Sequence, residues 1–458
     1  MNKLQPMFSV STTILSCKHA TGYTNSNPTR LVVETTRPVS HICQHSTLSL
    51  TMATVTTSSR RPYHVVIFGA SGFTGQFVVE EVAKAISEGP EGNLKWAVAG
   101  RSRRKLENVL NHVANTLDTP ELKCAVEVIV ADVRQPESLA IMCKQAVIVL
   151  NCVGPFLEAI QLVFDRKARE NSVYVIGSCG FDSLPADMGI LYTKEKFKGT
   201  LTAVESFLTV STGPEGGCGH DATWQSAIFG FADAARLRSL RKQFKHKPLP
   251  ELGAKIKKRG ALFFCKEIGQ YAVPFMGSDP SVVRRTQRYL CEEEEQQCPV
   301  QYCAYAGVGG VCSVLKLLFS GFFFWLLVKF SLGRHLLIKC PAFFSWGLFS
   351  KAGPTQKQME GTSFRMTFYG EGYTKGRDPS QGMPDGRITT EIRGAEPGYV
   401  VTPVVMVQAA MTFLNELQSL PERGGVFTPG AAFARTSLIQ RLQRHGLKFT
   451  ATNQQGAP

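Results

Sequence analysis

Metal-binding and disulfide patterns are missing from this chain. Its 13 cysteines are scattered, and no Cys-x-x-Cys pair or Cys/His cluster has metal-ligand spacing, so no metal site is expected. An odd cysteine count without a secretory signal points to reduced thiols in an intracellular protein. No nucleic-acid-binding motif occurs, and the aromatic residues stand in apolar runs rather than among the basic ones, which argues against nucleic acid as a partner. Acids are the scarce charge. Against 51 Lys and Arg there are 36 Asp and Glu, a net charge of +15, which suits an anionic cofactor or a phospholipid surface. A clean membrane span is also lacking: the most apolar stretch, between Lys316 and Lys329, has twelve uncharged residues, whereas a span needs ~20.

What is present supports a globular protein. The 458 residues allow two or three domains, and a hydrophobic content of 43% allows a sizeable core. The chain is organised around His64-Val-Val-Ile-Phe-Gly69-Ala-Ser-Gly72-Phe-Thr-Gly75. A buried strand ends in glycines spaced G-x-x-G-x-x-G, and an amphipathic stretch from Gln76 to about Ile86 reads as a helix. Gly69 permits the tight turn, Gly72 lets a pyrophosphate lie against the backbone, and Gly75 lets helix and strand approach. The free amides of the helix start attract phosphate. Gly69, Ser71, Gly72, Phe73, Thr74 and Gly75 are the expected dinucleotide contacts. The next strand, Trp96 to Gly100, ends in Arg101 and Ser102 instead of the acid that binds the ribose of NAD. A guanidinium suits a 2′-phosphate, so NADP is favoured over NAD; Ser102 is also a plausible helix cap.

The chain divides into four parts. Residues 1–51 are rich in Ser and Thr and carry one acid, Glu34. They read as a transit-like or disordered extension outside the fold, since Met52 looks like a natural start. Residues 52–199 alternate strand and helix, which argues a doubly wound parallel sheet of Rossmann type. Asp132 ends one strand where adenine or ribose contacts fall. Asn151, Val153 and Gly154 follow another and are expected beside the nicotinamide ribose. Cys152 and Cys179 are read as small apolar fillers. Asp182 lies in the loop after the strand Val173 to Gly177, as a site candidate or a turn cap. Residues 200–400 alternate like a mixed or antiparallel sheet in an α+β domain. Their glycine-rich loop holds His220, a candidate proton donor, and Ser226. The basic tract 236–259 reads as a solvated face. Val311 to Phe349 reads as two short apolar arms broken at Gly333-Arg334. Such a hairpin suits a membrane or lipid-droplet surface, with a buried helix pair or homodimer interface as the alternative. Residues 401–458 are expected to be helices packing back on the nucleotide domain.

These residues resemble the saccharopine dehydrogenase-like oxidoreductases of animals. The matching stretches include HVVIFGASGFTGQFVVEEV, WAVAGRSRRKL, LNCVGP, VIGSCGFDSLPADMG, VPFMGSDPSVVRRTQRYL and GGVFTPGAAF. The resemblance implies a Rossmann domain, a nicotinamide cofactor, and association with lipid droplets, membranes or mitochondria. The wider family includes bacterial enoyl reductases of glycolipid synthesis, and the animal branch does not imply saccharopine as substrate. The function expected is therefore an NADP-dependent oxidoreductase of a lipid-linked or apolar small molecule, with an inactive lipid-surface scaffold as the alternative. The chain departs from the family after Phe156. There the family has a further loop, helix and strand, and this chain passes straight into Leu157. A missing central strand would leave backbone groups unpaired in a buried sheet.

Overall fold

The computed structural model describes residues 13–17, 61–153, 157–244, 246–293, 299–380 and 382–454. The first half builds a seven-stranded sheet from β1 (Thr13–Cys17), β2 (Tyr63–Phe68), β3 (Trp96–Gly100), β4 (Glu127–Val130), β5 (Ala146–Asn151) and β6 (Val173–Gly177), joined by β15 (Gly425–Phe427). Their order is β15-β6-β1-β5-β2-β3-β4. All neighbours are parallel except at β1, which runs antiparallel to both β5 and β6. The intervening helices are α1 (Phe73–Lys84), α2 (Arg103–Thr116), the single turn α3 (Leu122–Ala125), α4 (Pro136–Gln145), α5 (Leu157–Glu170) and α6 (Leu184–Lys196).

The unbroken apolar runs of these strands follow from burial on both faces. Val65, Ile67, Val98, Ile148 and Leu150 join the core under α1 and α2. Val66, Phe68, Ala97, Ala99 and Val149 face Leu139 and Met142 of α4.

Two features differ from the reading of the sequence. Residues 1–51 were expected to stand outside the fold, yet β1 lies at the centre of the sheet. The chain crosses from β5 through α5 to β6 over one strand position, and β1 occupies it. β15 falls in the segment 401–458, expected to be helices; three residues are too few for a visible alternation, and Gly425 begins it at φ +153°.

The second sheet has the order β16-β14-β13-β7-β11-β10-β9. Its strands are β7 (Gly199–Ser211), β9 (Phe263–Cys265), β10 (Gln270–Pro274), β11 (Gln301–Gly309), β13 (Ser363–Thr374), β14 (Gly386–Gly394) and β16 (Lys448–Gln454). Only β7 and β11 pair in parallel. A separate pair joins β8 (Gly219–His220) to β12 (Phe349–Ser350). Arg259, at the end of the basic tract, is not merely solvated. It forks onto Glu205 at 2.6–3.1 Å and lies over Phe207 and Phe263.

The helices of this half are α7 (Asp221–Ala232), α8 (Ala234–Gln243), α9 (Asp279–Glu292), α10 (Val311–Val328), α11 (Ser331–Lys339), α12 (Pro341–Phe344) and α13 (Gln356–Glu360). The apolar hairpin bends at Lys329-Phe330, earlier than the expected break at Gly333-Arg334. Gly333 instead permits the return, because a Cβ there would stand 2.2 Å from the Leu327 carbonyl oxygen.

The C-terminal segment ties the sheets together through α14 (Thr402–Asn415), α15 (Pro429–Phe433) and α16 (Leu438–Arg444). α14 packs on α1, β15 extends the first sheet and β16 the second. Beneath them lie three buried acids. Thr286 Oγ1 and Gly430 N both donate to Asp187 Oδ2 at 2.7 Å. Burial nevertheless raises the Asp187 carboxyl to about 6. Asp279 is raised well above the carboxylate range by burial and then by Asp182 and Asp187. Asp182 Oδ2 accepts from Ser278 N at 3.4 Å, and Gly277 fits against its carboxyl because a Cβ would stand 2.2 Å from Oδ1.

A folded state that keeps protons on Asp187 and Asp279 binds more protons than the unfolded chain above pH ~4, so its stability falls as pH rises. For Asp187 the fall through pH 6 amounts to about 3 kcal/mol, at ~1.4 kcal/mol per pH unit. Asp187→Asn keeps an acceptor for Thr286 and Gly430. It should raise the melting temperature at pH ~8 and flatten its slope between pH ~4 and ~7, as thermal unfolding from pH ~4 to ~8 would show.

Candidate functional site

The site is built where β2 turns into α1. Gly69 adopts φ +84°, and Gly69 N donates to Ala99 O at 2.9 Å, tying the turn to β3. Gly72 N donates to Gly69 O at 2.9 Å. A Cβ on Gly75 would stand 2.2 Å from Gly69 O and 2.9 Å from Ala70 Cα, so only glycine lets α1 start this close to the strand. Gly72 is the helix N-cap, no side chain caps the helix, and its first turn holds no acid. The first amides therefore point outward unpaired and meet a positive dipole end. Thr74 and Gly75 are buried behind them, and the Ser71 hydroxyl lies beside Gly100.

Arg101 follows β3 on the surface, with no carboxylate paired to it among the described residues. Its neighbour Arg103 is otherwise engaged, donating to Val128 O at 3.0 Å. Ser102 Oγ caps α2 by accepting from Lys105 N at 3.5 Å. Asp132 organises its own loop: Oδ1 accepts from Arg134 N at 2.9 Å, and the backbone N donates to Ser138 Oγ at 3.0 Å.

The loop after β5 closes over the turn. Asn151 is buried and clasps Val153, with Nδ2 donating to Val153 O at 2.7 Å and Oδ1 accepting from Val153 N at 3.0 Å. Val153 Cγ2 would meet a Cβ on Gly69 at 2.6 Å. Gly154 lies outside the described residues. Burial pushes the Cys152 thiol to about 12, and Cys179 is buried with Sγ donating to Ile176 O at 3.4 Å. Both side chains serve as small buried fillers.

The second half supplies the facing wall. The His220 ring stacks on Phe73 with centroids 4.2 Å apart, and Tyr399 meets Phe73 edge-on at 4.9 Å. Gly353 fits against the Phe73 ring, since a Cβ there would stand 2.3 Å from it. His220 Nδ1 accepts from Ala222 N at 3.1 Å as the N-cap of α7. Its imidazole is lowered by burial, against the pull of Asp221 and a bond to the Lys351 backbone. It is therefore a neutral capping ring. Ser226 Oγ donates back to Ala222 O at 3.0 Å on the exposed side of α7. Asp182 stands apart in the buried acid cluster.

Nothing in the sequence marks Tyr399. Its hydroxyl accepts from His220 N at 2.7 Å, and burial pushes it to about 12, so it keeps its proton. It sits in a π-helical turn, Pro397–Val401, whose amides are gathered by buried Glu396. A Gly-Tyr step after an acid carries no motif that would mark it.

The turn thus meets the needs of an anionic dinucleotide, with an open helix start, a glycine cradle and a surface arginine past the second strand. Residues 65–176 match the family model of the saccharopine dehydrogenase NADP binding domain. A Mus musculus "Saccharopine dehydrogenase-like oxidoreductase" is 53% identical over 421 residues, covering 86% of this chain and 98% of that protein. As 86% of 458 residues is about 394, about 27 of those aligned positions have no counterpart here. An Arabidopsis thaliana "Probable mitochondrial saccharopine dehydrogenase-like oxidoreductase" is 33% identical over 84% of this chain and 96% of its own. A Caenorhabditis elegans "Lipid droplet localized protein" is 33% identical over 84% and 97%. Among solved structures, the Saccharomyces cerevisiae saccharopine dehydrogenase (L-Glu forming) aligns at 12% identity over 85% of this chain and 100% of its own, with a TM-score of 0.41.

Two substitutions test the cradle by calorimetry. Gly75→Ala forces the Gly69 carbonyl aside, and NADPH binding should be lost. Arg101→Glu should weaken NADPH by about 10- to 100-fold, as expected for a lost charge-assisted bond of ~1.5–3 kcal/mol, and leave NADH affinity unchanged. NADPH affinity that ignores Arg101 would remove its assigned role.

Proposed function

Because the chain belongs to the saccharopine dehydrogenase-like oxidoreductase family, whose NADP-binding domain it carries, we propose that it is an NADP-dependent oxidoreductase acting on a lipid-linked or apolar substrate at a lipid surface. One observation carries the reading: α7, whose N-cap His220 stacks on Phe73 of the nucleotide turn, is bolted to an exposed aromatic platform. α7 begins beside Phe73, and its Trp224 Nε1 donates to Leu337 O at 2.9 Å while the indole packs on Phe324 and Phe349. On the outer side of the hairpin, Phe319, Phe322 and Trp325 are 56–58% exposed and Phe343 is 78% exposed. Such a contiguous apolar face on a protein surface marks an interaction site.

Charge supports lipid as the partner. No acid occurs between Glu295 and Glu360, while Lys316, Lys329, Arg334 and Lys339 punctuate the apolar arms. Lys329 Nζ lies 3.1 Å above the Trp325 ring. Basic heads beside aromatic rings suit the boundary between phosphate headgroups and acyl chains. The 18 residues of α10 reach ~27 Å, short of the ~30 Å hydrocarbon core, and one face is already taken by α7. Lying in one leaflet fits better than crossing. The names of the worm and plant relatives support a lipid droplet and a mitochondrion respectively as the compartment.

The bound dinucleotide would supply or accept the hydride. The chain's own residues hold it and exclude water. The amides from Phe73 to Gly75 would hold the pyrophosphate and Arg101 the 2′-phosphate. Asn151 locks the loop carrying Val153 over the turn, and Phe73, His220 and Tyr399 seal the wall between the halves. Of these groups Tyr399 keeps a proton on its hydroxyl oxygen. A second reading, a nucleotide-binding scaffold at the same surface, is favoured by His220, whose lone pair is already spent on its cap.

Deleting 311–349 would remove Phe349, on which Trp224 packs, and the Leu337 carbonyl to which it donates, so surface substitutions are the cleaner test. Phe319→Ser, Phe322→Ser and Trp325→Ser together should abolish flotation with phosphatidylcholine–phosphatidylserine vesicles and leave the melting temperature unchanged. Unchanged flotation, or loss of a dimer in light scattering, would make the platform a contact between copies instead. NADPH oxidation with an enoyl or carbonyl lipid in those vesicles decides for the enzyme; tight NADPH binding without turnover decides for the scaffold.

A further inference from the structure

We propose that the gap between β5 and β6 is a strand-binding slot, filled here by Thr13–Cys17 as an internal ligand, and that it accepts the same strand supplied as a separate peptide. The slot has one strand's width. Thr13 stands opposite both Asn151 and Gly177, and Ser16 opposite both Ile148 and Tyr174. β5 and β6 have their other neighbours, β2 and β15, on the far side. Without β1, the inward backbone groups of both strands would face an empty gap among side chains that exclude water. Ile148, Leu150, Tyr174 and Ile176 are all fully buried. Buried amides and carbonyls do not stay unpaired.

A strand missing from this position would leave such a slot. The about 27 positions that the mouse relative has and this chain lacks are the size of one helix, one strand and their turns. A parallel replacement would need its own crossover. An antiparallel one needs only a free segment that can enter lengthwise, and Thr-Ile-Leu-Ser-Cys supplies it without charge, proline or glycine. Cys17 lies opposite Val173 at the sheet's amino edge, where β2 also begins with Tyr63 opposite Ala146. β1 and β2 thus meet the sheet at the same edge, and β1 belongs to the same chain, so it acts as a tethered ligand.

This is the mode in which an extended peptide completes a sheet, with backbone hydrogen bonds giving affinity. A tethered strand also outcompetes a free one, so the peptide binds the shortened chain and not the full one. The slot adjoins the nucleotide loop, because Thr13 is the partner of Asn151, but its occupancy is independent of whether the protein turns over a substrate.

Hydrogen exchange on the full chain is the first test. The amides of residues 14–17 should exchange at least 100-fold more slowly than those of an unstructured peptide of the same sequence; unprotected exchange would overturn the proposal. The second uses a chain beginning at Met52, purified or refolded with a synthetic peptide of residues 11–19. Native mass spectrometry should show one peptide bound per chain, with a higher melting temperature or a higher refolding yield. The same peptide carrying Leu15→Pro should have no effect, because proline removes a ladder donor. A shortened chain that melts with the full one and ignores the peptide would sink the idea.

Discussion

The contact between Gly75 and the Gly69 carbonyl is the constraint from which the site follows. With no side chain at position 75, α1 starts within a van der Waals radius of the turn, and its open amides stand over the carboxyl edge of the sheet. The same closeness throws Phe73 outward against the second half of the molecule. Its ring is then held by His220, Tyr399 and Gly353. A single backbone approach thus sets both the cofactor cradle and the docking of the second half on the first.

That docking is made of chemistry that resists rearrangement. α6 leaves the first sheet and packs on β13 and β14, where Gly189 receives the Phe368 ring. Asp182, Asp187 and Asp279 meet in the interior, with Thr286 bridging Asp187 to Thr428. Buried carboxyls held by hydroxyls and amides specify one arrangement even where they add little net stability. Residues of both sheets share one hydrophobic core, which joins the two halves through their interior.

The nucleotide half was largely legible because its signals are local. Strand, glycine turn and helix follow each other in sequence, and Ser102 caps the helix its position announces. The candidate chemistry was less legible. His220 was picked out for its side chain's usual pKa, yet the fold spends its lone pair on Ala222 N and its ring on Phe73. Tyr399 sits among these groups although 326 positions separate it from Phe73 in the chain. A residue's chemical role depends on what is packed against it, and those neighbours come from distant segments.

By itself the sequence determined the alternation of strands and helices, the glycine cradle, the preference for a 2′-phosphate and the apolar hairpin. Each rests on periodicity, backbone freedom or charge within a few residues. Only the tertiary structure decided that Thr13–Cys17 belongs in the sheet, that Arg259 is paired rather than solvated, and that the hairpin turns at Lys329-Phe330. A five-residue strand carries almost no signal of its own. Its place is set by unpaired backbone on two strands more than a hundred residues away.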